Sequence, residues 1–117
     1  MSPVSPLMRQ SQTAVLERNT TLTGEFATEP YEAAWAGEAR WFVQVLERSS
    51  DDAEITLTTQ ISPDGITWCD HDDGSRRTEG ELTTWVVREF GQWLRVRGEV
   101  TPAGAQAKVR IYLAVKS

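Results

Sequence analysis

The chain has 117 residues, 39% hydrophobic and 25% charged, which is the size and composition of one globular domain and excludes wholesale disorder. Its net charge of −5 opposes a general attraction to nucleic acid or to an anionic membrane, so neither is expected as a partner. A single cysteine, Cys69, excludes an internal disulfide framework.

Residues 1–12 hold two prolines, three serines and two glutamines. They read as an extended, flexible N-terminal arm, leaving residues 13–117 as one domain. No apolar stretch follows a basic one there, so no secretory signal is expected, and the chain is placed in the cytoplasm or in a virion-like particle. No run reaches the roughly 18 apolar residues that would span a bilayer.

Short β-like segments follow. Val15 to Arg18 and Leu22 to Phe26 are the first two expected strands. Tyr31 to Trp35 offers one helical turn, too short to anchor a helical layer. From Ala39 to Glu47, Trp41, Val43 and Val45 alternate with Phe42, Gln44 and Leu46. Both faces are largely apolar, which predicts a central strand. From Ala53 to Ile61, Ile55, Leu57, Thr59 and Ile61 share one face, and Glu54, Thr56, Thr58 and Gln60 the other.

Ser62-Pro63-Asp64-Gly65 then reads as a β-turn, with proline preset at its second position and glycine at its fourth. Ile66-Thr67-Trp68 would begin the return strand, and Cys69 to Gly74 would be a polar loop. Leu82 to Phe90 and Gln92 to Val100 are expected strands joined near Gly91. The last runs from Ala107 to Val115, with Val109, Ile111, Leu113 and Val115 inward and Lys108, Arg110 and Tyr112 outward. About seven or eight strands at this spacing predict an all-β, antiparallel, jelly-roll-like sandwich.

Three segments resemble the discoidin-like (F5/8 type C) jelly rolls: the hairpin Ile61-Ser62-Pro63-Asp64-Gly65-Ile66-Thr67-Trp68, the strand Gln92-Trp93-Leu94-Arg95-Val96-Arg97, and the closing Val109-Arg110-Ile111-Tyr112-Leu113. Similar hairpins recur in small β-sandwich proteins of phage particles. The resemblance implies a jelly-roll sandwich and, in the discoidin case, carbohydrate or lipid binding. One cysteine cannot form the terminal disulfide common in that family.

Catalysis needs a nucleophile or base oriented by a partner. The one histidine, His71, lies in Cys69-Asp70-His71-Asp72-Asp73-Gly74. A Cys–His pair, a zinc site or a calcium loop through Asp70, Asp72 and Asp73 would each use it, but no second Cys/His cluster and no twelve-residue calcium pattern accompany it. No phosphate-binding glycine loop occurs. The expectation is therefore a non-enzymatic protein without cofactor or metal.

Binding is expected on a sheet surface instead. Outward Trp93, Arg95 and Arg97 would join outward Arg110 and Tyr112 if their strands were neighbours. That aromatic–basic patch is either a partner surface or the ordinary solvent face of a sheet. The function this predicts is a structural or assembly protein, binding itself or a larger protein particle such as a phage-type capsid, tail or shell (a decoration protein, for example). The alternative is a carbohydrate-binding module that stacks glycans on some of the five tryptophans.

Overall fold

Period-two alternation of apolar side chains runs through most of the chain, and it yields strands wherever one face can be buried. A computed structural model describes residues 10–117. Its strands are β1 (Ser11–Thr23), β2 (Glu25–Ala27), β3 (Tyr31–Glu32), β4 (Glu38–Arg48), β5 (Glu54–Ser62), β6 (Cys69–Arg77), β7 (Leu82–Val87), β8 (Trp93–Thr101) and β9 (Gln106–Lys116). Two antiparallel sheets result, ordered β1-β9-β4-β7 and β2-β8-β5-β6, with the two-residue β3 also paired to β8.

Apart from the β5–β6 hairpin and the short β2–β3 step, each connection crosses from one sheet to the other. The pairs β5·β6, β4·β7, β2·β8 and β1·β9 are nested like one long hairpin wound into two layers. This is the double-Greek-key order of a jelly roll. The expected all-β sandwich is the fold.

The core lies between the sheets. Trp41, Val43 and Val45 of β4, Trp85 and Val87 of β7 and Val109, Ile111, Leu113 and Val115 of β9 face Ile55 and Leu57 of β5 and Leu94, Val96 and Val100 of β8. The Trp41 and Trp85 rings lie 6.4 Å apart at 34°. Trp85 Nε1–H donates to the buried Thr59 hydroxyl at 2.9 Å, so the indole spends its one polar atom inside the core.

Several boundaries differ from those expected. Residues 1–9 of the expected arm lie outside the described residues, whereas Ser11 and Gln12 pair with Lys116 and Val115 at the start of β1. β1 is one long strand because two bulges, at Val15/Glu17 and Glu17/Thr20, absorb the breaks in its alternation. Tyr31 begins strand β3 instead of a helical turn. Ile66 to Trp68 belong to the turn, and the return strand starts at Cys69, inside the segment expected to be a loop.

Candidate functional site

The turn between β5 and β6 folds back over its own sheet. The Ser62 Oγ accepts the N–H groups of Asp64 and Gly65 at 3.2 and 2.8 Å. Asp64 Oδ1 accepts the N–H groups of Ile66 and Thr67, each at 2.8 Å. Those two backbone donors, with the Ser62 hydroxyl, hold the Asp64 carboxyl down at a pKa of about 2. Gly65 has φ +79°, and a Cβ there would meet the Trp93 ring at 3.2 Å. The positive φ favours glycine, and the missing Cβ leaves the Trp93 ring its close approach.

Trp93 is thus half covered by the turn instead of free on the sheet. Arg95 stacks its guanidinium 4.3 Å over the Trp68 ring and donates from Nε to Gln60 Oε1 at 2.8 Å, while Gln60 Nε2 donates to Asp70 Oδ1 at 2.8 Å. Partial burial, and then the neighbouring Arg97 charge, lower the Arg95 pKa from its ordinary value. Arg97 pairs with Glu25 at 3.0 Å. This outer face of the five-stranded sheet is polar and internally paired.

Arg110 and Tyr112 lie elsewhere. They project from β9, in the four-stranded sheet, whereas Trp93, Arg95 and Arg97 project from β8 in the other sheet. The two rows occupy opposite outer faces of the sandwich, so the single aromatic–basic patch expected from the sequence does not form. Its strands are not neighbours.

The outer face that holds Arg110 and Tyr112 has a different character. Cross-strand registers place Val15, Tyr112, Phe42 and Thr84 in one row, and Thr13, Ala114, Arg40 and Val86 in the next. Leu82, paired with Gln44, is 53% exposed, and Val15 is 39% exposed. At the end of this face Phe42, Val86 and Ala114 floor a groove of about 240 Å³, bordered by Arg40, Arg88, Lys116 and Glu38. Arg40 donates to the Thr84 hydroxyl at 3.1 Å, and Arg110 to Asn19 Oδ1 at 2.6 Å. Among the described residues none of Arg40, Arg88, Arg110 and Lys116 makes an ion pair.

An apolar stripe edged by three cations and one carboxylate is unusual on a chain of net charge −5, and it is the candidate binding surface. Phe42 and Val86 were not anticipated. Val86 lies on β7; the signal for Phe42 lies in β4, whose two apolar faces predict a central strand. Only one of those faces meets the core.

His71 has a structural assignment. Its ring is buried; Nδ1 accepts the Asp73 N–H at 3.1 Å, and Nε2 lies 2.7 Å from the Arg88 carbonyl. Asp73 Oδ2 is also 3.3 Å from Nδ1, an ion pair only if that nitrogen carries a proton. The backbone donor at Nδ1 fits the tautomer with its proton on Nε2, which then donates to the Arg88 carbonyl. Cys69 points elsewhere, its thiol 3.8 Å from the Ile61 carbonyl. Among the described residues no three His, Cys, Asp or Glu side chains gather around a point that could hold a metal ion. No helix among them is long and apolar enough to cross a membrane.

Fold and surface define an antiparallel jelly-roll sandwich with one apolar–basic outer face. Residues 42–117 match the model of a domain of unknown function, DUF6385, and the chain belongs to that family. No curated protein sequence matches it. Among solved structures it is similar to the PBSX exported protein XepA, with a TM-score of 0.57 and 17% identity over 98% of this chain and 39% of that one. It is also similar to FLHE, with a TM-score of 0.46 and 13% identity over 92% of this chain and 94% of that one. The chain spans about two-fifths of the length of XepA, and that likeness speaks for the fold.

Proposed function

We propose that the chain is a non-enzymatic assembly protein that docks on a larger protein particle through the outer face of its four-stranded sheet. The observation that carries this reading is the stripe of Val15, Phe42, Tyr112, Ala114 and Val86 beside a groove where Arg40, Arg88 and Lys116 outnumber the single carboxylate, Glu38. Such a face suits a protein surface with apolar residues ringed by acids. XepA is named an exported protein of PBSX, and a phage-type particle, its capsid, tail or shell, is the setting we propose.

The glycan-binding alternative has no specific observation in its favour. Trp41 and Trp85 are core residues, Trp93 lies under Gly65 and Trp68 under Arg95, which leaves Trp35 at 36% exposure.

Co-expression with the proteins encoded by its neighbouring genes tests the docking role. The wild-type chain should co-elute with one of them on size exclusion. The double variant Arg40→Glu, Lys116→Glu, changed at two exposed positions, should not. A wild-type chain that associates with none of those proteins would end this reading.

A further inference from the structure

The four edges of the two sheets are not equally protected. β1 carries two bulges and Asn19 at φ 53°. β2 and β3 have three and two residues, with Pro30 between them. β6 carries Asp70, Asp72, Asp73, Arg76 and Arg77, together with a register shift opposite β5. Short length, bulges, proline and charge are the devices by which sheet edges avoid pairing with another chain. β7 has none of them. Its sequence is Leu82-Thr83-Thr84-Trp85-Val86-Val87, and it pairs with β4 without a register shift.

The free hydrogen-bonding groups of this edge can be named. Val45 N–H donates to the Glu81 carbonyl at 2.9 Å, and the register sets Val45 opposite Glu81. In an antiparallel ladder bonded pairs recur every second residue. Thr83, Trp85 and Val87 therefore turn their main-chain groups toward β4, and Leu82, Thr84 and Val86 turn theirs outward. No other strand among the described residues takes them up, because β7 ends its sheet.

We propose that two copies of this chain associate through β7, antiparallel, about a two-fold axis at Thr84. In that register Thr84 bonds its own copy, and Leu82 bonds Val86 of the partner subunit on either side. Roughly six main-chain hydrogen bonds form, and all three free pairs are used. A second copy is the occupant the edge fits, because the outward groups are spaced symmetrically about Thr84 and the strand read backwards supplies its own partner. The half-exposed Leu82 would be covered by Val86 of the partner subunit, on the same sheet face. β7 itself carries no charge, and the Arg40 that donates to the Thr84 hydroxyl at 3.1 Å brings a cation close to the axis on two chains of net charge −5.

The dimer joins two four-stranded sheets into one and sets their apolar–basic faces side by side. It does not rest on the docking reading. A monomer that still co-elutes with the particle overturns the dimer alone, and a dimer that binds no particle protein overturns the docking alone.

Sedimentation equilibrium on the full chain tests it. Wild type should be a dimer. Thr84→Lys and Thr84→Glu should each be monomeric with unchanged circular dichroism, because each sets like charges opposite one another at the axis. An equimolar mixture should recover a dimer, with Lys facing Glu. The Thr84 hydroxyl also donates to the Trp41 carbonyl at 2.8 Å, so Leu82→Lys, at an exposed position, serves as a second disrupting variant should the first pair not fold. A wild-type monomer overturns the proposal. So does a Leu82→Lys or Thr84→Lys chain that remains dimeric, or a wild-type dimer whose Leu82, Thr84 and Val86 amides exchange freely with solvent.

Discussion

Asp64 shows how one side chain can fix a turn. Its carboxylate accepts two backbone N–H groups and the Ser62 hydroxyl, and its pKa falls from 3.8 to about 2. A depressed carboxyl contributes stability above its unfolded pKa, and that contribution is lost as pH falls through the folded value. Asp64→Asn should therefore lower the melting temperature at pH 7, while wild type and variant should converge as the pH approaches about 2. Thermal melts across that range check it, and a gap that persists in acid would contradict the assignment. Gly98 is a second position where one atom decides. A Cβ there would lie 2.6 Å from the Phe26 ring and 2.7 Å from the Thr56 carbonyl oxygen. The carbonyl belongs to the ladder and cannot step aside, so Gly98→Ala should cost about 1–3 kcal/mol in urea unfolding. Phe26→Leu in the same chain should recover only part of that loss, because the Thr56 oxygen stays where it is.

At the scale of elements, the strands with a core face were legible in the sequence and the others were not. β4, β5, β8 and β9 are close to their expected spans because alternate apolar residues enter one core. The expectation of a loop over Cys69 to Gly74 has a physical reason: β6 has almost no apolar pattern, and its strand geometry comes from pairing with β5. Within it His71 is the one buried side chain, and it joins β6 to the segment after β7 through the Arg88 carbonyl. Removing the ring strands that carbonyl and the Asp73 N–H. His71→Ala should accordingly cost about 1–3 kcal/mol and speed hydrogen exchange at the Asp73 amide. Unchanged exchange there would return His71 to the role of a bystander.

For the whole molecule, the part of the site that could not be read from sequence was its assembly in space. A period of two tells which residues of a strand point outward, and it placed Trp93, Arg95, Arg97, Arg110 and Tyr112 outward. It says nothing about which strands share a sheet, and here the jelly-roll order sends β8 and β9 to different layers. The consequence is a molecule whose two outer faces differ. On the five-stranded sheet Arg97 and Arg77 are tied to Glu25 and Glu54; on the four-stranded sheet Arg40, Arg88 and Lys116 border an apolar groove without ion-paired partners among the described residues. Charges on the rim of an interface act mainly on encounter rate and salt dependence. Association with the particle should thus weaken several-fold between about 50 and 500 mM salt, as screening shortens the Debye length. Arg40→Glu should flatten that dependence along with lowering affinity, whereas Arg97→Glu, on the opposite face, should change neither. Equal effects from the two variants in surface plasmon resonance would mean that the partner does not distinguish the faces, and the four-stranded sheet would lose its claim to the interface.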